Sequence, residues 1–326
     1  MFTKYMFNSL AFNPAYAGTL DYLSAAAIVR EQWVSWDKGV DSYGGGAPRT
    51  YAASVHTPFQ ERVGLGGYLS QDQIGASRFT GLQLAYAYRL PLTEKYTLSL
   101  GIQGGVTHHG YDFTGLRFRH DPSIDVAFQG ESGSSWMPNA GAGAYFYGER
   151  FYFGASVPRL FESRLREYAE ADTPTESSVA AARNYRHLYI ASGAAFPISG
   201  NEDLVFKPSI LVKGVGWLGG FATSSQSVAT VRTPTEFDVD LSLLIRKVLW
   251  VGGSFRSTFD YFFQDRSSHD SADLWAAFYL KNGIRVGLAY DYSLTELQRF
   301  GNGSAELMIG YDMNFKVDKI ATPRYF

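Results

Sequence analysis

The chain has 326 residues, 45% of them hydrophobic and 16% aromatic, with only 18% charged and a net charge of −2. That balance excludes a basic nucleic-acid binder, and the absence of cysteine removes disulfides, thiolate metal sites and cysteine nucleophiles together. With 22 Tyr, 24 Phe and 34 Gly against 12 Pro, the composition points to sheet and tight turns, because aromatic side chains suit pleated surfaces.

The opening Met1-Phe2-Thr3-Lys4 is followed by no apolar core or cleavage site, so no signal peptide is expected, and a chain that crosses an inner membrane would be a processed form. Residues 5–18 are not strand-like: Asn13-Pro14 and Ala17-Gly18 are turn signals, and Pro14 steers Asn13 away from helix. Yet Tyr5, Met6, Phe7, Leu10, Phe12 and Tyr16 are too apolar to hang in water. The segment, with Tyr5, Met6, Phe7, Asn13, Pro14, Tyr16 and Gly18 as its candidate residues, reads as a plug for the domain that follows or as a docking strip for a partner.

From residue 22 onward the pattern has period two. Leu82, Leu84, Tyr86, Tyr88 and Leu90 oppose Gly81, Gln83, Ala85, Ala87 and Arg89. Leu98, Leu100, Ile102 and Val106 oppose Ser99, Gly101, Gln103 and Thr107. Phe237, Val239, Leu241, Leu243 and Ile245 oppose Glu236, Asp238, Asp240 and Ser242. Fourteen such segments lie near residues 22–33, 50–57, 62–71, 79–90, 96–108, 138–147, 150–158, 184–196, 204–214, 236–246, 248–257, 271–281, 283–292 and 303–316. Most have the length of a tilted strand that crosses a bilayer, about 9–11 residues. No apolar run reaches the roughly 18–20 residues of a membrane helix. A mean hydropathy of −0.15 does not exclude a membrane, since a barrel places apolar residues at alternate positions and the average hides them.

Connections alternate between short and long. Short ones fall at 58–61, 91–95, 148–149, 197–203, 247 and 282, and long ones at 34–49, 70–78, 109–138, 159–183, 215–235, 258–270 and 293–302. Outer-membrane barrels have short periplasmic turns, longer extracellular loops and an even strand count. Both termini are therefore expected in the periplasm. A soluble sandwich also alternates, but its exposed face would be rich in Lys and Glu, whereas here it is Gly, Ser, Ala, Tyr and Gln. Aromatic clusters at Tyr145-Phe146-Tyr147 and Phe151-Tyr152-Phe153 suit an interfacial girdle.

The face that should line the lumen carries both signs of charge. Glu236, Asp238 and Asp240 lie between Lys207 and Lys213 on the preceding strand and Arg256 on the following one. Arg285 and Asp291 face Glu306 and Asp312. Strands about 4.8 Å apart allow cross-strand ion pairs. The long loops carry aromatics that could anchor a protein partner: Tyr43, Phe113, Trp136, Phe161, Trp217, Phe221, Tyr261 and Phe262. The last strand ends in Tyr311, Met313 and Phe315, the type of terminal strand that barrel-insertion machinery recognises. A tail closing in Pro323, Arg324, Tyr325 and Phe326 follows. His108-His109 with His120 and Asp121 would be the only candidate loop metal site, and it is not adopted. No HExxH, GxSxG or P-loop pattern is present, so neither catalytic residues nor a cofactor or metal are expected.

The run Tyr5-Met6-Phe7-Asn8-Ser9-Leu10-Ala11-Phe12-Asn13-Pro14-Ala15-Tyr16-Ala17-Gly18 resembles the opening of the PorP/SprF family of type IX secretion outer-membrane proteins. So do Arg30-Glu31-Gln32-Trp33, His56-Thr57-Pro58, Tyr86 to Leu92, Phe153 to Leu160 and Pro323-Arg324-Tyr325-Phe326. The resemblance implies an outer-membrane barrel of a Bacteroidetes-type bacterium, linked to type IX export and often to gliding. It also implies binding of a secreted protein through its C-terminal targeting domain, and contact with other secretion components. One departure is Met1, which stands close before the motif where a signal peptide would precede it.

The expected organisation is an N-terminal segment at 1–20, a transmembrane antiparallel barrel of about fourteen strands at 21–316, and a periplasmic tail at 317–326. The expected function is non-enzymatic anchoring of a secreted cargo at the cell surface, with lipid around the barrel and no nucleic acid. A channel for a small or apolar solute and an outer-membrane lipid hydrolase are the alternatives.

Overall fold

The computed structural model describes residues 4–34, 46–112, 133–164, 183–198, 203–215, 235–259, 269–299 and 301–313. Alternating apolar and small residues build fourteen antiparallel strands: β1 (Leu23–Glu31), β2 (Arg49–Gln60), β3 (Val63–Ile74), β4 (Ser77–Pro91), β5 (Thr97–Tyr111), β6 (Gly133–Tyr147), β7 (Phe151–Val157), β8 (His187–Ala194), β9 (Leu204–Val215), β10 (Glu236–Ile245), β11 (Leu249–Thr258), β12 (His269–Tyr279), β13 (Ile284–Ser293) and β14 (Ser304–Met313). Phe196–Pro197 continues β8 along β9 in the same register. Each strand pairs with its sequence neighbour, and β1 pairs with β14, so the sheet closes on itself and has no free edge strand.

Side chains alternate between two environments along every strand. Leu274 (75% exposed), Leu84 (64%), Ile102 (63%) and Leu288 (62%) point outward. An outer surface of exposed aliphatic and aromatic residues costs too much in water and belongs in lipid. The inward positions are small, polar or charged and buried, among them Ser24, Gln83, Ser99, Gln103, Lys207, Asp240 and Glu306.

Leu23 stands opposite Met313, so the chain enters and leaves the barrel at one end. That end also carries the turns at 61–62, 92–96, 148–150 and 246–248, whereas β1, β5, β7, β9 and β11 end, and the strands that follow them begin, at the other.

Three expectations change. The connection expected at 70–78 is a two-residue turn, Gly75-Ala76, because Ile74 and Ser77 still pair and Gly75 adopts φ +56 as the first turn residue. Strand β6 begins at Gly133 rather than 138, since its register with β5 runs unbroken to Tyr111. The expected girdle of six aromatics divides by pleat. Phe146, Phe151 and Phe153 face outward, with Tyr96 packed at 5.9 Å and 5.5 Å from the first two. Tyr145, Tyr147 and Tyr152 are buried inside.

Candidate functional site

Residues 4–19 lie inside the barrel as three short 3-10 turns, Tyr5–Phe7, Ser9–Ala11 and Pro14–Tyr16. The last is set locally: Pro14 supplies its fixed φ at the first turn position, and Asn13 Oδ1 accepts from the Ala15 N–H at 3.0 Å. Gly18, at φ +69, then turns the chain toward β1.

This motif sits on interior glycines. A Cβ at Gly101 of β5 would meet the backbone of Ala15 and Pro14, one at Gly64 of β3 would meet the carbonyl of Ala17, and one at Gly143 of β6 would meet the Asn13 amide. The walls of β3, β5 and β6 are therefore bare where the segment's main chain lies against them. Hydrogen bonds fix it there. Asn13 Nδ2 donates to the Ala144 carbonyl at 3.0 Å, Ser156 donates to the Phe12 carbonyl at 2.7 Å, and the Gly18 N–H donates to His56 Nδ1 at 3.3 Å. The Tyr16 ring stands edge-on to His56 and Tyr145, with centroids at 5.2 and 5.5 Å.

The other end of the segment reaches the opposite wall. Phe7 packs against Trp250 of β11 and Trp275 of β12 at 5.3 and 5.5 Å, and the Tyr5 hydroxyl donates to Ser209 of β9 at 2.7 Å. Met6 packs beside the same cluster. Lys4, 1% exposed, donates to Ser254 at 2.7 Å and to Asp240 at 3.2 Å, and pairs with Asp273. Its ammonium lies 5.4 Å from the Trp275 ring centre, and its backbone N–H donates to Glu306 at 3.3 Å. Trp275 also donates to Asp240 at 2.9 Å.

Toward the loop end, charges form a second layer. Lys213 pairs with Asp238 at 2.8 Å and Glu236 at 3.3 Å, and Arg256 pairs with the same two at 2.6 and 2.9 Å. Arg256 also lies 3.8 Å from Asp291, which pairs with Arg30 of β1 at 3.0 Å; Arg30 continues to Glu306 at 3.5 Å. At the opposite, short-turn rim, Arg285 pairs with Asp312 at 3.0 Å. Of the lumen residues expected to pair, Glu236, Asp238, Arg256 and Glu306 join the loop-end network, Asp240 pairs instead with Lys4, and Arg285 and Asp312 form a separate pair. The Lys207 ammonium lies 3.8 Å from the Trp250 ring centre, a cation–π contact. Sequence reasoning missed Lys4, Arg30 and Asp273. Extending period two by one strand in each direction would have placed Arg30 and Asp273 inward. Lys4 lies in a stretch with no period.

Trp136, expected on a loop, projects outward from the extended β6, 68% exposed, with its ring 4.6 Å from His108. Phe161 is exposed beyond β7, held by Asn139, whose amide donates to its carbonyl at 2.7 Å. Tyr311 and Met313 face outward from β14. His109 turns inward and stacks on Phe79 at 4.2 Å. Tyr43, Phe113, His120, Asp121, Trp217, Phe221, Tyr261, Phe262, Phe315, Pro323, Arg324, Tyr325 and Phe326 lie outside the described residues.

The motif that occupies the glycine cradle opens a longer likeness. The family described as type IX secretion system membrane protein PorP/SprF matches residues 1–311. The chain belongs to that family. No curated protein matches the PorP/SprF chain. Among solved structures it is similar to the CymD monoaromatic hydrocarbon channel, at 11% identity and a TM-score of 0.52, covering 95% of this chain and 93% of that one. It is also similar to a Pseudomonas aeruginosa FadL homologue, at 11% identity and a TM-score of 0.47, covering 94% of each. At such identity the CymD likeness concerns the barrel fold alone.

Proposed function

We infer that this PorP/SprF protein is a non-enzymatic component of the type IX secretion machinery in the outer membrane, where it holds a secreted protein at the cell surface. The observation that carries this reading is the polarity of the barrel. One rim has turns of a few residues, while at the other, apart from the Gly75-Ala76 turn, long stretches of sequence join strands that the closed sheet holds in place. A rigid barrel spares loops much of the ordering cost of binding, and exposed aromatics such as Trp136 and Phe161 supply apolar area at the long-loop rim. Membership of the family supports a link to secretion components, and in this reading the cargo is held through its C-terminal targeting domain. In this reading residues 1–20 plug the barrel from the periplasm, and the tail at 317–326 remains there for secretion partners.

The test is co-purification of the detergent-extracted barrel from its native membrane, with the bound proteins identified by mass spectrometry. A stoichiometric large secreted protein, released when the long loops are shortened, is the expected result. Recovery of the barrel alone would remove the anchoring role. The alternative, a channel for a small or apolar solute, is supported by the fold likeness to CymD alone, and the segment across the lumen weighs against it.

A further inference from the structure

The two ends of the segment inside the barrel are held by different physics. Residues 13–18 are clamped main chain against main chain: at Gly64 and Gly101 there is no room for even one carbon between segment and wall. Leaving that seat requires the wall itself to move. The far end is held through side chains, by the Lys4 ammonium among Asp240, Asp273 and Ser254, the Tyr5 hydroxyl on Ser209, and Phe7 between two tryptophans. Between these ends the segment crosses the lumen, since β3, β5 and β6 lie on one side of the barrel and β9 to β12 on the other. Leu10, midway along the segment, is packed on the cradle side over Gly66 of β3, with Ala17, Ala85 and Ala87.

We propose that residues 4–19 form a hinged gate across the lumen, with Asn13–Gly18 as the fixed hinge and Lys4 as an ionic latch. Release of the latch swings the Lys4 end off the β10–β12 wall and opens a path between the two rims. The latch holds because opening strands Asp240 and Asp273 without their cation in a buried site, with Lys207 on Trp250 as the nearby positive group. The glycine cradle holds because it needs no charge. This inference is independent of whether the loops carry a cargo, since it concerns the lumen.

The sequence has no cysteine, so a single introduced thiol reports on the gate. Leu10→Cys places one on the buried middle of the segment. In the purified full-length barrel it should react with a small maleimide at least tenfold more slowly than a thiol at the exposed Glu94. Adding Lys4→Met should raise the Leu10→Cys rate about tenfold and raise single-channel conductance in planar bilayers. Removing the stranded charges as well, with Asp240→Asn and Asp273→Asn, should restore slow labelling, because the uncompensated carboxylates are then gone. Equal rates and conductances with and without Lys4→Met, in barrels that stay heat-modifiable on gels, would overturn the latch. Where Lys4→Met fails to assemble, a short thiol cross-link between Tyr5→Cys and Ser209→Cys takes its place. The unlinked barrel should then show conductance bursts that the cross-link abolishes; a barrel without bursts, or with bursts unchanged by the link, would overturn the gate.

Discussion

At single positions, the interior tolerates neither bulk nor lone charge where the segment and the ion pairs lie. A valine at Gly101 puts its Cβ into the backbone of Ala15. Overpacking that side chains can absorb costs about 1–3 kcal/mol, but backbone yields less, so Gly101→Val should expel the segment. The check is protease cleavage within residues 4–19 of the detergent-solubilised barrel: fast in Gly101→Val, slow in wild type. Arg256 poses the opposite problem. It neutralises Asp238 and lies between Glu236 and Asp291 in a buried layer. Arg256→Ala leaves those carboxylates short of a partner and should lower the unfolding free energy by about 3–5 kcal/mol in urea titrations in micelles. Arg256→Ala with Asp238→Asn should recover part of that loss, which distinguishes stranded charge from a packing defect.

At the level of strands and turns, the connection between β10 and β11 is strained. Arg246 and Lys247 both have positive φ, +50 and +58, in a tight turn where Asn-Gly is the favoured pair. A side chain in the left-handed region costs roughly 1–2 kcal/mol, so Arg246→Asn with Lys247→Gly should raise the temperature at which the barrel loses its folded gel mobility. An unchanged transition would mean that these side chains gain as much from contacts at the rim as the backbone loses. The strands themselves were legible because one physical fact, the pleat, writes itself into every second residue. Leu82 to Leu90 and Phe237 to Ile245 needed nothing else. Strand ends were less legible. Polar stretches such as Ser134 and Ser135 keep pairing beyond the apolar band, driven by backbone hydrogen bonds that leave no periodic trace. The girdle tyrosines misled for a related reason: composition says aromatic, but only register says whether Tyr145 faces lipid or Tyr16. The route of residues 4–19 was the least legible part. Three 3-10 turns have no common period, and their seat is written as absent side chains at Gly64, Gly101 and Gly143 on strands far away in sequence.

For the whole molecule, an even strand count puts both ends of the barrel chain on one rim, and that rim bears the short turns. Orientation in the membrane then decides how the parts are used. With the short-turn rim toward the periplasm, the N-terminal segment enters from the side where secretion machinery operates, and the long connections meet the exterior where a cargo would be held. The reverse orientation would expose short turns outside and leave no anchoring surface there. The absence of cysteine makes the two cases separable in intact cells. Gln73→Cys lies exposed at the far end of β3, next to the Gly75-Ala76 turn, and Glu94→Cys lies exposed in the turn between β4 and β5 at the opposite rim. A membrane-impermeant maleimide applied to whole cells should label Gln73→Cys and spare Glu94→Cys, with both labelled after the outer membrane is permeabilised. The inverse pattern would place the long connections in the periplasm. It would transfer cargo binding to a periplasmic stage of export, because loops on that side can meet a secreted protein only before it crosses the outer membrane.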